Sequence, residues 1–198
     1  MLVVLWGLFF IGIGVGFFLY ANLGADTASV FAQGVDSAFG IGFGHAVAAI
    51  NLCILAVVFF IDRSYINITS ILSMLTVGYI GQIVYELLTA FISPNPIMPT
   101  RVISLLTGIL IIGINVPIYV RANLGVGAFD LLPELISDKF NLNYRWVRIA
   151  CDFSYVLIGV ILGANFGFGT VVTVLALGPV IAFFRPKVEK VVDAFVIV

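Results

Sequence analysis

Six long apolar stretches leave this chain almost no freedom of fold class. They cover residues 2–21, 43–61, 68–92, 102–120, 146–163 and 168–184, and each approaches the twenty or so residues needed to cross a hydrocarbon core of roughly 30 Å. Water cannot be the solvent of such a chain: 62% of its 198 residues are hydrophobic and only 10% are charged, whereas a soluble domain is about half apolar and about one quarter charged. The expectation is an all-α membrane protein of six transmembrane helices in a single transmembrane domain. The first stretch lacks a basic n-region and a small-residue cleavage pattern, so it reads as a helix and not as a signal peptide.

Charge distribution gives the orientation. With six spans the loops alternate sides, placing Arg63, Arg121, Lys139, Arg145, Arg148, Arg185, Lys187 and Lys190 on the side of both termini and Arg101 alone on the other. Because short cytoplasmic loops retain Lys and Arg, both termini, including a tail over 185–198, are expected in the cytoplasm.

The chain also repeats itself. Ile11 to Gly24 reads IGIGVGFFLYANLG, and Ile112 to Gly125 reads IGINVPIYVRANLG, with eight of fourteen positions identical at a shift of 101. At that shift Asn51 falls on Asp152; at a shift of 100, Ser70, Ser73 and Gly78 fall on Thr170, Thr173 and Gly178. A unit over about 2–92 and another over about 102–184 each hold three spans, an odd number, so the second must enter the membrane from the opposite side. This is the inverted-repeat plan common among secondary transporters. The charges agree, since 22–42 holds no Lys or Arg and 121–148 holds four.

After each Ala-Asn-Leu-Gly comes a segment, 24–40 or 125–139, too polar to span. Gly24 and Gly125 permit the left-handed turn past a helix end, and Asp26 with Thr27 can cap a new short helix. Each short helix either re-enters the membrane or lies on its surface. If it re-enters, its N-terminus aims amides and a positive dipole end at the interior, suited to an anion.

Ionisable groups within spans are costly, by about 2.5–3.5 kcal/mol at a helix centre on insertion scales. Arg148 and Asp152 stand four apart, one turn along a helix, and can pair; they are either a structural pair or cavity groups opposite Asn51. The candidate solute-binding set is Asn22, Asp26, Asn51, Asn115, Asn123, Asp130, Arg148 and Asp152, with Glu86 and Arg121 as gating or coupling groups. Asn115 and Pro117 replace Gly14 and Gly16 of the first unit, so the fourth span is expected to kink, with Asn115 serving a freed carbonyl or facing a cavity. Gly12 and Gly16 are spaced for close helix packing, and Gly24, Gly125 and Gly178 complete the structural glycines.

No G-x-S-x-G elbow, P-loop, dinucleotide fingerprint or H-E-x-x-H occurs, and a single histidine with Cys53 and Cys151 at unrelated spacing gives no metal site. No catalytic residue, metal, cofactor or nucleic-acid partner is expected.

The glycine-rich first span, the run Arg121-Ala-Asn-Leu-Gly-Val-Gly-Ala-Phe-Asp130, and Gly167-Phe-Gly-Thr-Val-Val-Thr-Val-Leu-Ala-Leu-Gly-Pro179 resemble the bacterial YczE/YitT-like (YczE/YyaS/YitT) integral membrane proteins over nearly the whole chain. Ala128-Phe129 stands where that family commonly has Pro-Trp, Asp130 matches its motif aspartate, and Ser29 takes the equivalent place in the first unit. The resemblance implies an inner-membrane protein of this size and supplies no substrate. From the repeat, the expected function is a secondary transporter or permease for a small polar or anionic solute. The alternatives are a substrate-binding subunit of an energy-coupled importer and a non-transporting accessory protein that scaffolds a partner. Partners are the lipid bilayer and a small solute, with a homodimer or a partner membrane protein left open.

Overall fold

A computed structural model describes residues 1–121 and 125–196. Among these the secondary structure is helical throughout: α1 (Leu2–Ala21), α2 (Thr27–Phe39), α3 (Phe43–Asp62), α4 (Ile68–Phe91), α5 (Met98–Arg121), α6 (Ala128–Lys139), α7 (Tyr144–Ile161) and α8 (Phe168–Val196), with one 3-10 turn, Arg63–Tyr65, between α3 and α4. Five helices are long and apolar enough to cross a membrane, namely those starting at Leu2, Phe43, Ile68, Met98 and Phe168. The stretch read as a sixth span, 146–163, becomes α7, whose 18 residues include Arg145, Arg148 and Asp152. Its length, about 27 Å at 1.5 Å per residue, is sufficient, but its charge keeps it apart from the other five. α8 continues past 184 through Pro179 and Pro186, so the presumed tail begins as helix.

The glycines of the first span set the packing. In a membrane, lipid tails are as apolar as leucine, so helices associate through close backbone approach and not through the hydrophobic effect. A Cβ added at Gly12 or Gly16 would lie 2.7 Å from Ile80 or 2.5 Å from Val84, both on α4, and one at Gly14 would lie 2.5 Å from Ile112 on α5. α1 therefore sits wedged between α4 and α5. In the other direction Gly108 of α5 accepts the ring of Phe18, with only 2.6 Å available to a Cβ.

Helix ends follow from local chemistry. α1 stops at Asn22 in the left-handed conformation (φ 48), Gly24 follows at φ +103, and its repeat equivalent Gly125 has φ +100. Asp26 accepts the Ser29 amide at 3.3 Å and so caps α2; Gly40 at φ 64 closes it.

α2 and α6, at 13 and 12 residues, extend only about 18–20 Å and cannot span. They pack against α3 and α7: α2 on both, and α6 on both. α1 packs on α4 as α5 packs on α8. The exterior is apolar, with Phe60, Phe91 and Phe168 largely exposed. On α7, Trp146, Phe153 and Ile161 face outward while Val147, Tyr155 and Gly159 face in. An apolar shell of this extent marks a surface that meets lipid. The molecule is an all-helical membrane protein.

Candidate functional site

The N-termini of α2 and α6 open into one cavity of about 420 Å³ at the middle of the bundle, within the size range of small-molecule sites. Asp26–Ser29 and Gly127–Asp130 supply its polar rim, and Leu8, Ile11 and Val15 of α1 with Ile112 and Val116 of α5 its apolar wall. Residues 8–15 are the midsection of α1, so α2 begins deep in the bundle. It then runs outward, Gly34 lying against the Gly159 backbone near the end of α7.

Arg148 organises the polar side. Its Nε donates to Asp152 Oδ2 at 3.0 Å, one turn along α7, and its Nη1 pairs with Asp130 Oδ1 at the start of α6. Asp152 Oδ1 accepts from the Thr27 hydroxyl at 2.8 Å, and Asp130 Oδ2 accepts from Tyr119 at 3.3 Å. One guanidinium thus ties the start of α6 to α7, and through Asp152 to the start of α2. The planar fork of arginine suits this double pairing where a lysine point charge would not. The α6 terminus is served from α4: the Ala128 amide donates to Ser73 Oγ at 3.2 Å, and Ser73 in turn donates to the Ser70 carbonyl at 2.9 Å.

Three polar atoms around this cavity are buried and lack a hydrogen-bond partner among the described residues: Asp26 Oδ1, Asn51 Oδ1 and Thr173 Oγ1. The sequence marks Thr27 only as part of a helix cap and Ser73 and Thr173 only as repeat equivalents, which is the available signal for them, and it carries no signal for Tyr119.

The remaining candidates lie elsewhere. Asn115 is buried, but its Nδ2 donates to the Ile111 carbonyl at 2.8 Å on its own helix. Pro117 leaves the carbonyl of Gly113 without its usual donor, so Asn115 does not serve that group. Asn22 lies in a separate cleft of about 410 Å³ with Tyr20, Asp36, Arg101 and Asn165, accepting from Asn165 Nδ2 at 2.8 Å. Glu86 accepts from Gln82 at 2.9 Å in an exposed position. Arg121 ends α5, and Asn123 lies outside the described residues. Gly178 lines the cavity, and a Cβ there would meet nothing within 4 Å.

A family model matches residues 1–186, nearly the whole chain. The chain belongs to DUF6198, a family of unknown function. It is 27% identical over 192 residues to the uncharacterized membrane protein YczE of Bacillus subtilis (strain 168), covering 94% of this chain and 87% of that one. It is also 28% identical over 185 residues, 92% of this chain and 81% of the relative, to an uncharacterized protein of Haemophilus influenzae. The resemblance to YczE-like proteins read from the sequence therefore holds. No solved structure matches.

Proposed function

We propose that this DUF6198 protein is a secondary transporter of the bacterial inner membrane with both termini cytoplasmic, working by alternating access of two inverted three-helix units around the central cavity. In this reading α7 is the sixth span, its Arg148 and Asp152 facing the cavity and its Phe153 facing lipid, and α2 and α6 re-enter the membrane from opposite sides.

The observation that carries it is an inequality between equivalent contacts. Val47 and Arg148 correspond at the shift of 101, and Gly78 and Gly178 at the shift of 100. In the first unit α4 packs on α3, with 2.6 Å between Val47 Cβ and a Cβ built on Gly78; in the second, Gly178 faces open space. Two units of one plan, one closed and one open, are the two arrangements that an alternating carrier exchanges.

Two further clefts support the reading. One, of about 440 Å³, is lined by Asp62, Ser64, Val120 and Glu134; the other, holding Asn22, is lined by Gly163, Asn165, Leu19 and Gln33. Each residue of the first set is the 101-residue equivalent of one in the second, so the clefts are the expected vestibules at opposite faces. The central cavity speaks against a purely accessory role.

The test begins with topology. In a chain lacking Cys53 and Cys151, a cysteine at Asn22 is expected to react with an impermeant thiol reagent only from outside, and one at Asn123 only from inside. Reaction of both from one side overturns the inverted plan. Solute counterflow in proteoliposomes follows, and replacing both Arg148 and Asp152 is expected to abolish it; retained flux removes these residues from the site.

A further inference from the structure

Resting on the transporter reading, we propose that the central cavity binds an organic ammonium with an apolar body, its charged head held between Asp26 and Asn51, and that it does not bind an anion.

The two helix N-termini would ordinarily attract an anion, but the protein has already supplied the acceptors. Asp26 caps α2 through the Ser29 amide, and at α6 the Ala128 amide is bound to Ser73 with Asp130 in the first turn. Arg148, the one cation in the lining among the described residues, is held by two carboxylates. Among the described residues the ionisable lining is then three carboxyl groups against one guanidinium, and a cation entering beside Asp26 would hold that carboxyl in its ionised form where an anion would oppose it.

The unpartnered atoms point the same way. Asn51 is 2% exposed and its Oδ1 has no donor; Asp26 Oδ1 is likewise buried and without one. A carboxylate oxygen only accepts, and a buried acceptor without a donor costs about 1–3 kcal/mol. Buried acceptors of this kind at a cavity wall suit a ligand that brings donors. An ammonium brings two or three, and charge-assisted bonds are the stronger kind. Thr173, fully buried with an unpartnered hydroxyl, adds a third contact from α8. The apolar part of the lining, Leu8, Ile11 and Val15 with Ile112, has no side-chain polar group to offer, so the rest of the solute must be apolar.

The test is equilibrium binding to the full chain in lipid nanodiscs, using three ligands of one shape: benzylammonium, benzyl alcohol and benzoate. Saturable binding of benzylammonium alone is expected. Asp26→Asn should weaken it roughly ten- to hundredfold, the loss of a charge-assisted bond, and Asn51→Leu should weaken it less, while Asp26→Glu should keep most of it. Benzoate binding at least as tightly as benzylammonium, no saturable benzylammonium binding, or equal binding by a correctly folded Asp26→Asn variant each overturns the proposal. Should Asp26→Asn fail to fold, Asn51→Leu with unchanged affinity overturns it in the same way. Binding needs no turnover, so amine binding without flux refutes transport alone, and flux without amine binding refutes the solute class alone.

Discussion

Arg148 stands at the junction of two carboxylates from different helices, with side-chain exposures of 34%, 27% and 28% for Arg148, Asp130 and Asp152. Removing it leaves both carboxylates without their counter-charge, so Arg148→Ala is expected to cost about 2–3 kcal/mol, short of the 3–5 of a fully buried pair because water still reaches part of each group. Arg148→Lys should recover less than half of that, since a single Nζ replaces the two separately placed nitrogens, Nη1 and Nε, that reach the two carboxylates. Thr27→Val removes only the neutral donor to Asp152 and should cost about 1 kcal/mol. Thermal unfolding of the three variants in one detergent checks the order; a lysine variant as stable as the parent would show that the fork is not needed. Gly24 is a separate case. Its φ of +103 and the 2.2 Å that a Cβ would have to Thr170 Oγ1 predict that Gly24→Ala is destabilising by more than the roughly 1 kcal/mol of an ordinary glycine effect, whereas alanine at Gly40, which has a positive φ but open space, should cost only the backbone term.

At the scale of elements, what the sequence revealed depended on which force shapes each helix. Spans whose every face is apolar, such as α1 and α5, are readable from composition, and their ends follow from Asn22 and Gly24. The short helices are readable as interruptions, because Asp26 and Gly125 are turn and cap chemistry, but their depth is not: it depends on Gly34 meeting Gly159 and on Thr27 reaching Asp152, contacts each 125 residues apart in the chain. The Arg148–Asp152 pair followed from its i,i+4 spacing, and the third member, Asp130, did not, because it arrives on another helix. Asn115 shows the same limit. Its helix and burial were foreseeable, but whether its amide turns outward to a cavity or back to Ile111 is decided by neighbours. For α7, with its charged face inward and Phe153 outward, the membrane-spanning reading predicts that Phe153→Arg impairs insertion by about 2.5–3.5 kcal/mol, whereas arginine at exposed Leu142, in the turn before α7, should be tolerated. Fractions inserted in a translocation assay separate the two, and equal insertion would place α7 at the surface.

On the transporter reading the whole molecule is two copies of one plan in unequal states, and that inequality makes the strongest demand. If the units exchange, the α7–α8 gap beside Gly178 must close as the contact of Gly78 with Val47 opens, so that the cavity loses its present opening and gains the opposite one. Gly178→Trp should fit the existing space, where a Cβ meets nothing within 4 Å, and hold α8 away from α7. Such a variant is expected to fold, to keep thiol accessibility at one face only, and to lose counterflow together with part of its ligand affinity, because the indole enters the cavity that Gly178 lines and a carrier held in one state cannot return its site. The reverse substitution, Gly78→Ala, pushes against Val47 at 2.6 Å and should shift the population toward the other face, raising labelling there. A shift of even 1.4 kcal/mol changes that population ratio about tenfold, well within the range of a labelling experiment. Turnover by Gly178→Trp at the parent's rate would mean that α8 never closes on α7, and the unequal contacts would then be a fixed asymmetry of the fold and not one half of a cycle.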